Sequence, residues 1–175
     1  MKTVTPKNLE DWKNWLEKNH LKEDRVLLIK YKKHTKKPLI YNMDSMKTAI
    51  CFGWIDTTAK RIDEDRYAIT YVKRNKNSKW SINTLRYGKE LLEKGLMSDF
   101  GVKMYKEGLA KKPHDFGIPE NPRMPKDMKI LLIKSKKLEQ FIKLSPSRKK
   151  MHYRGFLKAQ RPETKANVVR KLNLE

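Results

Sequence analysis

The sequence predicts an α+β fold with a small antiparallel sheet and packed helices, and three observations carry that expectation. A short run of branched apolar residues, Arg25–Tyr31, reads as a strand between two stretches with helical spacing. Residues 54–74 alternate apolar and polar side chains on both sides of the polar turn 63–66, the pattern of a hairpin with one buried face. The remaining apolar residues recur every three or four positions, so helices and strands fall in blocks instead of alternating strictly. A length of 175 residues fits one domain, or one domain with a small appendage.

Taken in order, the first helix spans residues 7–20, with Leu9, Trp12, Trp15 and Leu16 on one face. Asn8 or Thr5 offers its cap and Pro6 pre-sets its first turn. The strand Arg25–Tyr31 then runs into a basic turn, residues 32–37, closed by Pro38. Asp44 or Ser45 opens a second helix striped by Met46, Ala49 and Ile50, which Gly53 can stop. After the hairpin, Ser81 opens a helix with Leu85, Leu91 and Leu92 on one face and Gly95 at its end, and Ser98 caps the next. These elements make one α+β domain over residues 1–112. Residues 113–125 hold four of the eight prolines and read as an irregular linker. Residues 126–175 follow as three or four short helices, two of them opened by Ser145-Pro146 and Arg161-Pro162. Tyr153, Phe156, Leu157 and Val168 are the apolar side chains expected to meet the first domain.

Composition narrows the function classes. Lys and Arg number 42 against 20 Asp and Glu, a net charge of +22, while 38% of residues are hydrophobic and four are Trp. That describes a folded core under a cationic surface and not a disordered basic tail. Residues 1–112 carry 26 basic and 14 acidic residues; residues 113–175 carry 16 and 6, so the C-terminal part is the denser cation. A single Cys excludes an internal disulfide framework and any multi-Cys metal site, which makes a reducing, cytoplasmic compartment the expectation. No apolar run approaches the ~20 residues of a membrane span. The four His lack metal spacing, HExxH is absent, and neither a Walker nor a dinucleotide glycine motif occurs. No metal or cofactor is expected.

Several motifs occur together in a fixed order. They are the Trp-rich first helix, a strand ending in Tyr31-Lys32-Lys33, and Cys51-Phe52-Gly53-Trp54-Ile55-Asp56 followed by Lys60, Arg61, Ile62 and Asp63. After these come Trp80-Ser81, Gly95-Leu96-Met97, Leu144-Ser145-Pro146-Ser147, and Arg161-Pro162-Glu163-Thr164 leading to Arg170. In this order the chain resembles the YdeI/OmpD-associated family, whose members are often labelled bacteriocin-protection proteins. The resemblance implies a core similar to the YjbR/CyaY-like proteins for residues 1–112 and a helical segment of the family's own type for residues 126–175. It also makes Trp54, Asp56, Arg61, Asp63 and Ser81 candidates for a family pocket, and Arg161 and Glu163 a C-terminal motif. Lys79 and Thr84 stand where that family more usually has Asn. The resemblance implies no defined reaction.

The residues themselves suggest a polyanion site. Lys30, Lys32, Lys33, Lys36 and Lys37 crowd one strand end beside Tyr31, Tyr41 and His34, and Lys73, Arg74, Lys76 and Lys79 crowd another beside Trp80. Such cations neutralise phosphates, and Tyr31, Tyr41 and Trp80 could stack on unpaired bases. Because Lys heavily outnumbers Arg, the expected contact is nonspecific binding of DNA or RNA and not base reading. The cationic C-terminal helices would equally suit an acidic protein partner. Asp56, Arg61, Asp63, Asp65 and Arg66 could form an acid–base cluster, but a salt-bridged hairpin rim explains them better. Cys51 lies in an apolar stretch and reads as a small buried hydrophobe. The first-helix acids alternate with lysines, which argues against the iron role of the frataxin branch of the YjbR/CyaY-like fold. The expectation is a noncatalytic polyanion binder.

Overall fold

Four strands form one sheet in the order β1-β2-β4-β3: β1 Lys2–Val4, β2 Arg25–Tyr31, β3 Trp54–Arg61 and β4 Arg66–Lys73. The computed structural model describes residues 1–172. The chain divides into two compact units, Met1–Pro113 and a second beginning at His114. The α+β class is as expected, with one difference: the sheet is mixed, because β1 pairs in parallel with β2. At three residues β1 is too short to display a two-residue period, which is why the sequence does not reveal it.

The first unit's helices are α1 Leu9–Asn19, α2 Asn42–Cys51, α3 Ile82–Glu93 and α4 Asp99–Leu109. Antiparallel register sets Val26 opposite Tyr71 and Leu28 opposite Ile69. These side chains are buried together with Trp12 and Leu16 of α1, Ala49 and Ile50 of α2, Leu91 of α3, and Met104 and Tyr105 of α4. The indoles also satisfy their polar ends: Trp12 Nε1 donates to the Ser45 carbonyl at 3.1 Å and Trp54 Nε1 to the His20 carbonyl at 3.1 Å. Asn8 proves to be the α1 cap, its Oδ1 accepting the Asp11 N–H, and Pro6 lies outside the helix. Ser81 caps α3 in a reciprocal box with Thr84, so one of the two unusual family positions is a helix start. Helix α2 begins two residues before the expected cap Asp44, at Asn42, because Tyr41 caps it by backbone alone while Ser45 turns inward.

The α2–α4 crossing depends on one glycine. Ser98 caps α4 and also donates its N–H and Oγ–H to the Cys51 carbonyl, at 2.9 and 3.2 Å. That anchor brings Gly101 so close that an added Cβ would stand 2.0 Å from the same oxygen.

The second unit holds α5 Lys126–Lys134, α6 Leu138–Lys143, α7 Pro146–Lys158 and α8 Pro162–Arg170. It has a core of its own, in which Met128, Leu132, Phe141, Leu144, Phe156, Val169 and Leu172 are buried. Tyr153 and Val168 pack against that cluster, so they and Phe156, expected at the first domain, are accounted for within the second unit. Met124, from the proline-rich stretch, packs there too, and Asp115 is buried against Arg154 at 3.3 Å. Arg161 and Glu163, the C-terminal motif, stand at the start of α8, the first as its N-cap and the second in its first turn. Both are exposed, and among the described residues neither makes an ion pair. The contact between α5 and α8 is made instead by Lys165, 2.6 Å from Asp127 and lying over the Phe156 ring.

Replacing Gly101 by Ala should lower the stability of the chain by about 1–3 kcal/mol, the usual range for forced overpacking. Gly155, inside α7, has nothing within 4 Å of its would-be Cβ. Gly155→Ala should therefore raise stability by about 0.5–1 kcal/mol through helix propensity. Urea unfolding of both variants checks the pair; equal effects would contradict the crossing geometry.

Candidate functional site

At the C-terminal end of β2 the chain leaves the sheet through a 3₁₀ turn, Lys33–Thr35, and passes Lys36 in the left-handed region (φ 54°). It returns through the buried Ile40 to Tyr41, the cap of α2. This loop is tied to the β3–β4 turn, because Lys32 Nζ donates to the Asp63 and Glu64 carbonyls at 3.0 and 2.7 Å. Between loop, helix start and sheet edge lies an open cleft of about 310 Å³, lined by Tyr31, Lys32, Lys33, Leu39, Ile40, Tyr41, Asn42 and Tyr67. A neighbouring cavity of about 380 Å³, bordered by Met43, Met46, Asp56 and Tyr71, shares Asn42 with it. The hydrogen bond from Tyr67 Oη to Asn42 Oδ1, 3.0 Å, runs between the two.

Hydrogen-bonded to Asn42, which lines both the cleft and the neighbouring cavity, is a buried lysine. Lys30 follows Val26 and Leu28 on the core face of β2 and is 4% exposed. Its ammonium donates to Asn42 Oδ1 at 2.8 Å and to Ser45 Oγ at 2.7 Å, and Tyr71 Oη donates to the same Ser45 oxygen at 2.9 Å. Burial pushes the Lys30 pKa down to about 8, while the carboxylates of Asp44 and Asp56 oppose that fall. A Lys–Ser pair can serve as base and nucleophile, but this serine is not placed to attack. It is fully buried, both its lone pairs are occupied, and its own proton faces the Tyr41 and Asn42 carbonyls at 3.2 and 3.1 Å. The group therefore acts as a bracket that fixes α2 to β2 and β4.

Around the cleft, cations and carboxylates sort into paired and unpaired. The Arg66 guanidinium, 2.7 Å away, hydrogen-bonds the Asp63 carboxylate and lowers its pKa. Arg61 lies 3.6 Å from Glu64, and His34 3.1 Å from Asp65. The hairpin cluster is thus the salt-bridged rim expected, and Asp56 is not part of it, since its register partner is Tyr71. Lys33 and Lys36 are exposed and, among the described residues, have no carboxylate partner. Lys37 lies 4.4 Å over the Tyr31 ring, and Tyr41 is 69% exposed.

The second expected patch is not assembled. Lys73 pairs with Asp24 at 2.7 Å, and only Lys76 and Lys79 stay exposed. Arg74 is 2% exposed and lies 3.6 Å over the Trp80 ring, itself 4% exposed. Arg74 and Trp80 therefore stack on each other in the interior, with Arg74 Nη1 donating to the Lys79 carbonyl at 3.1 Å, and leave the surface set, as does Lys30. The family-pocket candidates are also apart: Trp54 is in the core, Ser81 caps a helix, Asp56 borders the inner cavity, and Arg61 and Asp63 belong to the rim. Burial pushes the Cys51 thiol up to about 11, which keeps it protonated and unreactive. Asn42 and Tyr67 escaped the sequence reading, and Ser45 entered it only as a helix start. The signal that could have found them is a lysine at a core-facing strand position, which requires oxygen partners.

Residues 4–104 match the family model described as Domain of unknown function (DUF8412). The chain belongs to this family. The tyrosine cleft and the buried Lys30 lie wholly inside the DUF8412 match, whereas the second unit lies outside it. Neither a curated protein nor a solved structure matches the chain. Among the described residues no helix is long and apolar enough to cross a membrane, and no group of three or more His, Cys, Asp or Glu is disposed to hold a metal ion.

Lys30 makes the DUF8412 unit's stability depend on pH in a definite direction. With a folded pKa of about 8 against an ordinary 10.5, the unfolded chain keeps the proton over a window in which the folded chain has shed it. Within pH 8–10.5 the unfolded state binds more protons, so this group's contribution rises with pH; below about 8 its full penalty remains. Relative to Lys30→Met, the natural chain should gain on the order of 2 kcal/mol between about pH 8 and pH 10 in urea unfolding. Parallel pH profiles for the two proteins would mean that Lys30 is solvated.

Proposed function

We propose that the DUF8412 unit is a nonspecific binder of polyanions, with single-stranded nucleic acid the best fit, and that the cleft of Tyr31, Tyr41 and Tyr67 receives it. The observation that carries this reading is the juxtaposition of an exposed ring, Tyr41, with Lys33 and Lys36, which have no carboxylate partner among the described residues. Lysines release counterions on meeting phosphates, and aromatic faces stack on bases of any sequence. The paired carboxylates of the hairpin turn support the reading as well, since they present the strand with already neutralised charge. Ammonium groups meet phosphate as point charges and do not read base edges, which agrees with recognition of backbone and ring alone. The resemblance to the YdeI/OmpD-associated family extends the proposal to a stress or protection role, in which the polyanion is held and not transformed.

Fluorescence anisotropy of a labelled oligo-dT tests the reading. Affinity should fall linearly on a log–log salt plot, and Lys33→Ala/Lys36→Ala should make the slope shallower by about 0.7 for each phosphate that is no longer neutralised. Tyr41→Ala should weaken binding by about 1–3 kcal/mol, whereas Lys76→Ala/Lys79→Ala should change it little. Binding that ignores salt, or that ignores Tyr41, would sink the proposal. Retention of an acidic protein after nuclease treatment, with no oligonucleotide affinity, would put a protein partner in its place.

A further inference from the structure

The second unit contains a cavity of about 440 Å³ at the start of α7, within the size range of small-ligand sites. Two proline rings, Pro122 and Pro146, and the ring of Tyr153 form its apolar walls, and Lys149 and Lys150 supply its charge. Tyr153 is held in place from behind by Phe141, 5.7 Å away, so the wall is anchored in the unit's core. Helix α7 carries five cations, Arg148, Lys149, Lys150, Arg154 and Lys158, and no acidic residue.

The state of those cations points to a ligand. Arg154 is matched by the buried Asp115. Lys149 and Lys150 are both half-buried, yet among the described residues Lys149 has no carboxylate partner and Lys150 donates only to the neutral Asn121 Oδ1, at 2.6 Å. Both lysines therefore border the cavity beside its apolar wall with no carboxylate among the described residues to match them, and an anion placed there would meet two cations at once. The rings beside them would take an apolar body attached to the anion.

We propose that this cavity binds a small amphipathic anion, an aromatic ring bearing a phosphate or carboxylate, with the ring between Pro122, Pro146 and Tyr153 and the charged group on Lys149 and Lys150. The site lies outside the DUF8412 match and is independent of the nucleic-acid cleft.

Titration of the full chain with phenyl phosphate, followed through backbone amide NMR shifts, tests it. Saturable shifts are expected at Ser147, Lys149, Lys150 and Tyr153. Inorganic phosphate and benzyl alcohol, each half of the probe, should bind at least tenfold more weakly. Lys149→Met, which keeps an apolar stem and breaks no hydrogen bond, should weaken phenyl phosphate severalfold, and Lys149→Met/Lys150→Met tenfold or more, with oligo-dT affinity at the tyrosine cleft changed less than twofold. Unsaturable shifts spread over many lysines, equal affinity for inorganic phosphate, or undiminished binding by the folded double variant would each overturn the proposal.

Discussion

The first unit is organised around the burial of one ammonium group. Lys30 occupies a position on β2 that the two-residue alternation assigns to the core, and its charge is tolerated there only because oxygen atoms surround it. Those oxygens come from the first turn of α2, which fixes the helix start at Asn42 and turns Ser45 inward. Tyr67 and Tyr71 of β4 complete the group, so three elements distant in sequence are held in register by a polar contact inside an apolar core. Losing these oxygen partners would leave a buried polar group worse placed than an apolar one, which makes the hydrogen bonds to Asn42 and Ser45 the constraint.

Surface features follow from that constraint. With α2 fixed by its first turn, Tyr41 must stand just outside it, and the loop from Lys32 to Ile40 must span from the sheet end to the same point. The lysines in that loop cannot reach the core and find only backbone carbonyls, a tyrosine face or water. The hairpin turn beside them consumes its own carboxylates on Arg61, Arg66 and His34. The excess positive charge near the cleft is therefore a consequence of how neighbouring charges pair, and not of lysine number alone.

How far the sequence revealed this differs by element. The helices α1, α3 and α4, the strand β2 and the β3–β4 hairpin were legible because each exposes one face and buries the other, and because Asn8, Ser81 and Ser98 carry side chains able to cap. The three-residue β1 lacked a period, and the early start of α2 lacked a side-chain cap. Charge was the least legible feature. A lysine in a linear sequence does not disclose whether it meets a carboxylate, an indole or solvent, so Lys30, Lys73 and Arg74 looked equivalent to Lys33 and Lys36 until long-range register separated them. Trp80 misled for the same reason: a ring beside cations in sequence proved to be a ring covering one of them in the interior.

Asp56 ties the two buried cations to the inner cavity. Its carboxylate raises the pKa of Lys30 and of Arg74 against the lowering that burial imposes, and among the described residues it acts on both. It is itself exposed at the end of the Cys51–Asp56 motif, opposite Tyr71 in the register, and so retains its hydration while acting on charges that have been stripped of theirs. A solvated carboxylate whose field reaches two desolvated cations lowers their burial penalty without being desolvated itself, which avoids the penalty that opposes a fully buried ion pair. The same position that a catalytic reading would assign to an acid or base thus has a sufficient physical role as a counter-charge.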